Sequence, residues 1–166
     1  MTGSMQTVAD IVAADHPADP PPGFVAVANE GNYAHMFGTV FAKLDGGRIL
    51  LGFRCSPRHL NPNDSCHGGV VAAFADLQPF AAQHEIGYEF RIQPTINLSV
   101  DYLSPIRSGD WVQAETSVLR KTPRMIFSLM TGYVGDQPVF HSRGIFRVSN
   151  DPDPLALARL AVLTAG

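Results

Sequence analysis

Residues 59–76 read His59-Leu60-Asn61-Pro62-Asn63-Asp64-Ser65-Cys66-His67-Gly68-Gly69-Val70-Val71-Ala72-Ala73-Phe74-Ala75-Asp76, and this stretch decides the fold. Its first half is built from Pro, Asn, Asp and Ser, residues that punctuate regular structure. Asp64 or Ser65 stands where a helix N-cap is expected. From Val70 to Ala82 the chain is apolar on nearly every face, which predicts a buried helix. Asp76 is the single acid in that helix. Burying a charge is costly unless it is paired. Asp76 is therefore either a core carboxylate satisfied by backbone or a working group in poorly solvated surroundings, more basic than a surface Asp. Pro79 cannot donate to the Ala75 carbonyl and its ring crowds that carbonyl. A kink beside Asp76 follows, either freeing the carbonyl for water or serving only as a packing bend.

On the N-terminal side, residues 36–44 and 48–56 are rich in β-formers, with Asp45-Gly46-Gly47 as a hairpin turn between them. On the C-terminal side, Gly87 is placed to stop the helix. Four strand segments follow, at 93–103, 110–120, 125–134 and 138–148. In the first of these, Ile96, Leu98, Val100 and Tyr102 alternate onto one face. Met5, Val8, Ile11 and Val12 have helical spacing over residues 5–14. Asp19-Pro20-Pro21-Pro22-Gly23 forms an extended linker, and the tail from Pro152 carries a helical pattern. One buried helix with a mostly antiparallel sheet gives an α+β layer pair, the sheet wrapped on the helix. The expected units are 1–22 as helix and linker, 23–149 as the domain, and 150–166 as a tail.

The chain has 166 residues, 45% hydrophobic and 16% charged, which fits one globular domain with a sizeable core. A net charge of −3 gives no sign of nucleic acid or a membrane surface as partner. No apolar run is long enough to span a bilayer. Cys55 and Cys66 are the only cysteines. With no zinc spacing and no signal peptide, they read as free thiols in a reducing, cytoplasmic compartment. His59, Cys66 and His67 also fit no zinc pattern, so no metal is expected. His16, His35, His84 and His141 read as structural.

The loop and helix resemble the acyl-CoA thioesterases of the phenylacetate-pathway (PaaI-like) group, which are hotdog-fold domains. The resemblance rests on Asn61, on His67-Gly68-Gly69, on Phe74-Ala75-Asp76, on Gly52-Phe53-Arg54 and on Ser99-Val100-Asp101-Tyr102-Leu103-Ser104-Pro105. It covers roughly residues 20–149. Two positions depart from the family pattern: Asp64 stands where a glycine is usual, and Pro79 interrupts the helix. The resemblance implies that the Gly68 amide polarises a thioester carbonyl. It makes Asp76 general base or nucleophile, gives Asn61 a share in holding the carbonyl, and has Thr95 orient the lytic water. It implies an acyl- or aryl-CoA substrate and no cofactor beyond the coenzyme A of the substrate itself.

The chemistry agrees with those residue types. First-turn amides of a helix lack intrahelical partners and sit at the positive end of its dipole. A glycine lets a carbonyl approach its N–H closely. His67 is a further candidate at the carbonyl or acyl pocket, and Gly69 a candidate substrate contact. Arg120, Lys121 and Arg124 bracket a turn and could meet coenzyme A phosphates, with Arg58 a similar candidate. Two other readings stand beside hydrolysis. One is a hotdog enoyl-CoA hydratase or dehydratase, whose loop motif is absent here. The other is a non-catalytic acyl-CoA binding protein. Gly68 and Asp76 lie roughly 12 Å apart along one helix, too far to serve one carbonyl. The expected assembly is a homodimer with composite sites, with further pairing into tetramers left open.

Overall fold

The computed structural model describes residues 20–27, 36–87 and 89–165. The helix expected over 5–14, and His16 and His35, lie outside them. The described strands are β1 (Val25–Val27), β2 (Val40–Asp45), β3 (Arg48–Arg54), β4 (Thr95–Tyr102), β5 (Trp111–Lys121), β6 (Met125–Val134) and β7 (Gln137–Arg147). They form one seven-stranded sheet in the order β1-β2-β3-β5-β6-β7-β4. All neighbours are antiparallel. The helices are α1 (Gly68–Ala75), α2 (Gln78–Glu85) and α3 (Pro154–Thr164). This is the hotdog architecture, a curved antiparallel sheet wrapped on central helix.

Local chemistry explains most of the boundaries. The β2–β3 hairpin turns on Gly46 and Gly47 with φ of 54° and 82°, the positive pair that a tight two-residue hairpin needs. Gly87 takes φ 58° just past α2 and donates its N–H to the His84 carbonyl, a glycine helix stop. Asp153 caps α3 by accepting from the Ala156 N–H. The strand expected from residue 36 begins only at Val40, because Met36 and Phe37 form a helical turn that buries Phe37. β1 was not expected.

The central helical segment is broken beside Asp76. Leu77 and Phe80 each donate three residues back, to Phe74 and Leu77, instead of four. Pro79 lies in the first turn of α2, where its missing N–H costs nothing. The two helices follow one another across this tight step, as the proline predicts.

α2 packs over β3, β5 and β6, and α1 packs against β4. Phe74 of α1 is fully buried, with ring centroids 4.7 Å from Phe53 and 6.2 Å from Phe140. The other face of β2 and β3 carries a second apolar cluster of Phe24, Phe41 and Leu50 against Trp111. The two edges of the sheet differ. α3 packs on β1 and β2 and adds Ala156 to the core. Among the described residues, β4 pairs only with β7. It leaves Ile96 and Tyr102 55% and 57% exposed.

The register of β4 contains a bulge. Thr95 pairs with Phe146 and Asn97 with Ile145, so Ile96 is the extra residue. Leu98, Val100 and Tyr102 pair with Gly144, Ser142 and Phe140, which are buried on the concave face. Phe146 is buried too, so the bulge turns Thr95 onto this same face. Simple alternation from Leu98 had put Ile96 there and Thr95 outside.

Candidate active site

The loop before α1 is held largely by itself. Asn61 Oδ1 accepts from the Asn63 N–H at 2.9 Å and from the Ser65 N–H at 3.3 Å, and its Nδ2 donates to Ser65 Oγ at 3.0 Å. Such side-chain turns are what Asn does well in loops. Asn61 thus shapes the loop, and its amide oxygen is already engaged. Asp64 has φ 54°, the left-handed conformation that a glycine adopts freely. The departure from the family glycine therefore leaves the turn in place, since Asp tolerates this region better than most residues. Arg107 Nη1 donates to the Asn63 and Asp64 carbonyls at 3.3 and 3.1 Å, tying the loop to the segment after β4.

The N-cap of α1 is His67, in place of the expected Asp64 or Ser65. Its Nδ1 accepts from the Gly69 N–H at 2.9 Å. A neutral imidazole so bonded carries its proton on Nε2, on an exposed side chain. Among the described residues nothing accepts from the Gly68 N–H. Gly68 lies against Tyr102, whose hydroxyl donates to the Gly68 carbonyl at 2.9 Å. A Cβ on Gly68 would meet that ring at 3.2 Å. Tyr102 thus braces the first turn from below, a role that sequence reasoning missed.

Asp76 forms the C-cap of α1. Its side chain is exposed in the single chain, not buried as expected. It has one partner among the described residues: Thr95 Oγ1 donates to Asp76 Oδ1 at 2.7 Å. Two positions singled out by the family resemblance, Asp76 and Thr95, thus meet within one chain. The Gly68 amide is at the other end of the same helix, roughly 12 Å away along its axis.

The Ala75 carbonyl is not free for water. Gln78 Nε2 donates to it at 2.9 Å. Gln78 is fully buried and was not singled out in the sequence.

The basic candidates disperse. Arg120 pairs with Phe127 and Lys121 with Ile126, so the two project to opposite faces of β5. Arg124 lines a groove of about 730 Å³ with Arg147, Pro94 and Ser149. Arg147 was missed, because strand alternation alone does not reveal which turn it meets. Arg58 is half-buried beside Gly38.

His59 is structural. It is buried, its Nδ1 accepts from the Ser56 N–H at 3.1 Å, and its Nε2 meets the Phe37 carbonyl at 2.7 Å. Cys55 and Cys66 are free, buried thiols. The hydrogen bond from Cys66, with His59 nearby, pulls Cys55 down to about 6 against the effect of burial. The same bond and burial push Cys66 up. Among the described residues, no cluster of three His, Cys, Asp or Glu side chains could hold a metal ion. No described helix is long and apolar enough to cross a membrane.

Residues 63–139 match the family model described as the thioesterase superfamily. A Pseudomonas aeruginosa protein named "Putative esterase PA0474" is 26% identical over 136 residues, which cover 77% of this chain and 96% of that one. The solved Escherichia coli PaaI protein of the phenylacetic acid degradation operon is similar in fold. Its TM-score is 0.62 at 18% identity, covering 74% of this chain and 88% of that one. A thioesterase-type protein of Streptococcus pneumoniae, solved with coenzyme A, gives a TM-score of 0.59 at 14% identity. It covers 78% of this chain and 98% of that one.

Proposed function

We propose that this chain, whose residues 63–139 match the thioesterase superfamily model, is a cytoplasmic acyl-CoA thioesterase, releasing a carboxylic acid and coenzyme A. The observation that carries the reading is the Thr95–Asp76 hydrogen bond of 2.7 Å at the open edge of the sheet. A carboxylate held by one oxygen keeps the other for a proton. Asp76 Oδ2 takes that proton from a water, whose oxygen attacks the thioester carbonyl carbon. Thr95 fixes the carboxylate's orientation toward that water.

The developing oxyanion needs a donor already in place. The Gly68 N–H at the positive end of α1 is that donor, with His67 Nε2–H beside it. Such a donor contributes about 3–4 kcal/mol of transition-state stabilisation. Collapse of the tetrahedral intermediate expels the thiolate. The chemistry calls on no group beyond these side chains and water. Arg124 and Arg147, lining one groove, suit the anionic end of coenzyme A. The two ends of α1 serve different carbonyls within one chain. The working unit is then a homodimer, joined along β4, in which Asp76 and Thr95 of one protomer face Gly68 of its partner.

The test is thiol release over a panel of acyl- and aryl-CoA thioesters. Turnover is expected for at least one. Asp76→Ala is expected to lower it at least about 100-fold in a folded protein, since it removes a base and not packing. Hydration of an enoyl-CoA without thiol release would instead favour a hydratase. Tight binding without any turnover would favour a binding protein.

A further inference from the structure

Two buried glutamines lie on α2, and only one touches the helix break. Gln78 is 0% exposed and Gln83 is 1% exposed. Gln83 Oε1 accepts from the Arg91 N–H at 2.7 Å, clasping the segment that leads to β4. Gln78 does something else. Its Nε2 donates to the Ala75 carbonyl, and its Oε1 accepts from Ser128 Oγ on β6 at 2.7 Å. Ser142 Oγ on β7 lies 3.5 Å from the same Nε2 and donates to the Met130 carbonyl. The amide orientation is fixed by these partners, because a flipped amide would set its oxygen against the Ala75 carbonyl.

The Ala75 carbonyl and the Asp76 N–H belong to one rigid peptide plane. The Asp76 N–H donates to the Ala72 carbonyl at 3.0 Å. On the other side, Pro79 cannot supply the donor that a continuous helix would give the Ala75 carbonyl. Gln78 supplies it. The plane that carries Asp76 is therefore anchored to α1 by one bond and to the sheet by the other. The sheet makes room for this. A Cβ on Gly144 would lie 2.9 Å from Gln78 Cδ.

From this geometry we infer that Gln78 is a positioning residue for Asp76, holding the Ala75–Asp76 peptide plane so that the carboxylate meets Thr95. The inference rests on the proposed role of Asp76, and its structural readout does not require activity. Gln78→Met fills the same space with no donor or acceptor, leaving the Ala75 carbonyl and Ser128 hydroxyl without this partner.

Gln78→Met is expected to lower kcat about 10- to 100-fold with KM within about three-fold. Gln83→Met, a control of equal burial on the same helix, is expected to lose stability while kcat stays within about two-fold. In an Asp76→Ala background, Gln78→Met should change the residual rate by less than about two-fold, because it acts through that acid. Crystal structures of the two glutamine variants supply the second readout. The Thr95–Asp76 hydrogen bond should be lost in Gln78→Met and kept in Gln83→Met. If Gln78→Met does not fold, Ser128→Ala frees the Oε1 anchor alone. It should lower kcat about three- to ten-fold in the same direction.

A kept Thr95–Asp76 contact with unchanged kcat in Gln78→Met, or in Ser128→Ala where that variant stands in, overturns the inference. So does a kcat loss that merely tracks stability in both glutamine variants. If the wild type releases thiol from no acyl-CoA, the thioesterase reading fails. The crystallographic comparison then still decides the role of Gln78.

Discussion

Thr95 and Asp76 lie on different elements, nineteen positions apart in sequence, and meet through a bond of 2.7 Å. Both are exposed in the single chain, where water competes with such a contact. A hydroxyl donating to a carboxylate is a short, charge-assisted bond. In the proposed reaction its value is orientational: it would turn one lone-pair sector of Asp76 toward the substrate. Thr95→Val keeps the β-branch and removes the donor. It is expected to lower kcat about ten-fold and leave KM nearly unchanged, because the bond aims the acid and does not bind substrate. A rise in KM at constant kcat would make Thr95 a substrate contact instead. Asp64 makes a different point at the same scale. Its φ of 54° keeps the glycine-like turn before α1, so a departure from the family motif changes the residue without changing the path of the chain.

At the scale of elements, the Ile96 bulge determines which residue of β4 reaches the helix. In a strand, a shift of one residue sends every side chain to the opposite face. Deleting Ile96 would remove the bulge and leave Thr95 two positions before Leu98, so that plain alternation keeps it opposite Phe146 on the concave face. The expected outcome is a folded protein with circular dichroism like the wild type and thioesterase activity within about three-fold of it, because the Thr95 hydroxyl still faces the helix. A loss as large as that of Thr95→Val would mean that the bulge itself, and not only the face of the strand, places the hydroxyl on Asp76. This bulge could not be read from sequence, because it is set by pairing with β7, some fifty residues later. Ile96 looks like an ordinary member of an alternating strand. Features set by neighbours in sequence were legible: the Gly46-Gly47 turn, the Gly87 stop, the break at Pro79. β1 was not, since Val25 and Ala26 are exposed and the strand exists only through its pairing with β2. The exposure of Asp76 was hidden for a related reason. Its helix is apolar almost throughout, and which side the sheet covers depends on where β4 ends. Gln78 carried no signal either, because a lone Gln in a helix reads as surface until Ser128 and Gly144 arrive beneath it.

At the scale of the molecule, the two sheet edges call for different treatment. β1 has three residues and α3 lies against it. β4 has eight residues with no Pro or Lys, and its outer edge has no strand partner among the described residues. A long open edge is a template for another strand unless charge, proline or cover blunts it. Leu103, beyond its end, is also 53% exposed. A second copy pairing antiparallel along β4 would cover this edge and bring two copies of α1 side by side in opposite directions. Each Asp76 would then approach the partner's helix start, which the separation along α1 within one chain prevents. Two inactive variants test this arrangement. Asp76→Ala removes the acid, and Gly68→Val blocks approach to the amide. Each homodimer is expected to be dead at both sites. A mixed dimer would carry one doubly defective site and one intact site. Random pairing makes half the dimers mixed, so co-refolding equal amounts should restore about a quarter of wild-type activity. If mass spectrometry demonstrates exchanged dimers and the mixture stays as inactive as its parents, the acid and the amide do not meet across the interface, and each chain must complete its own site.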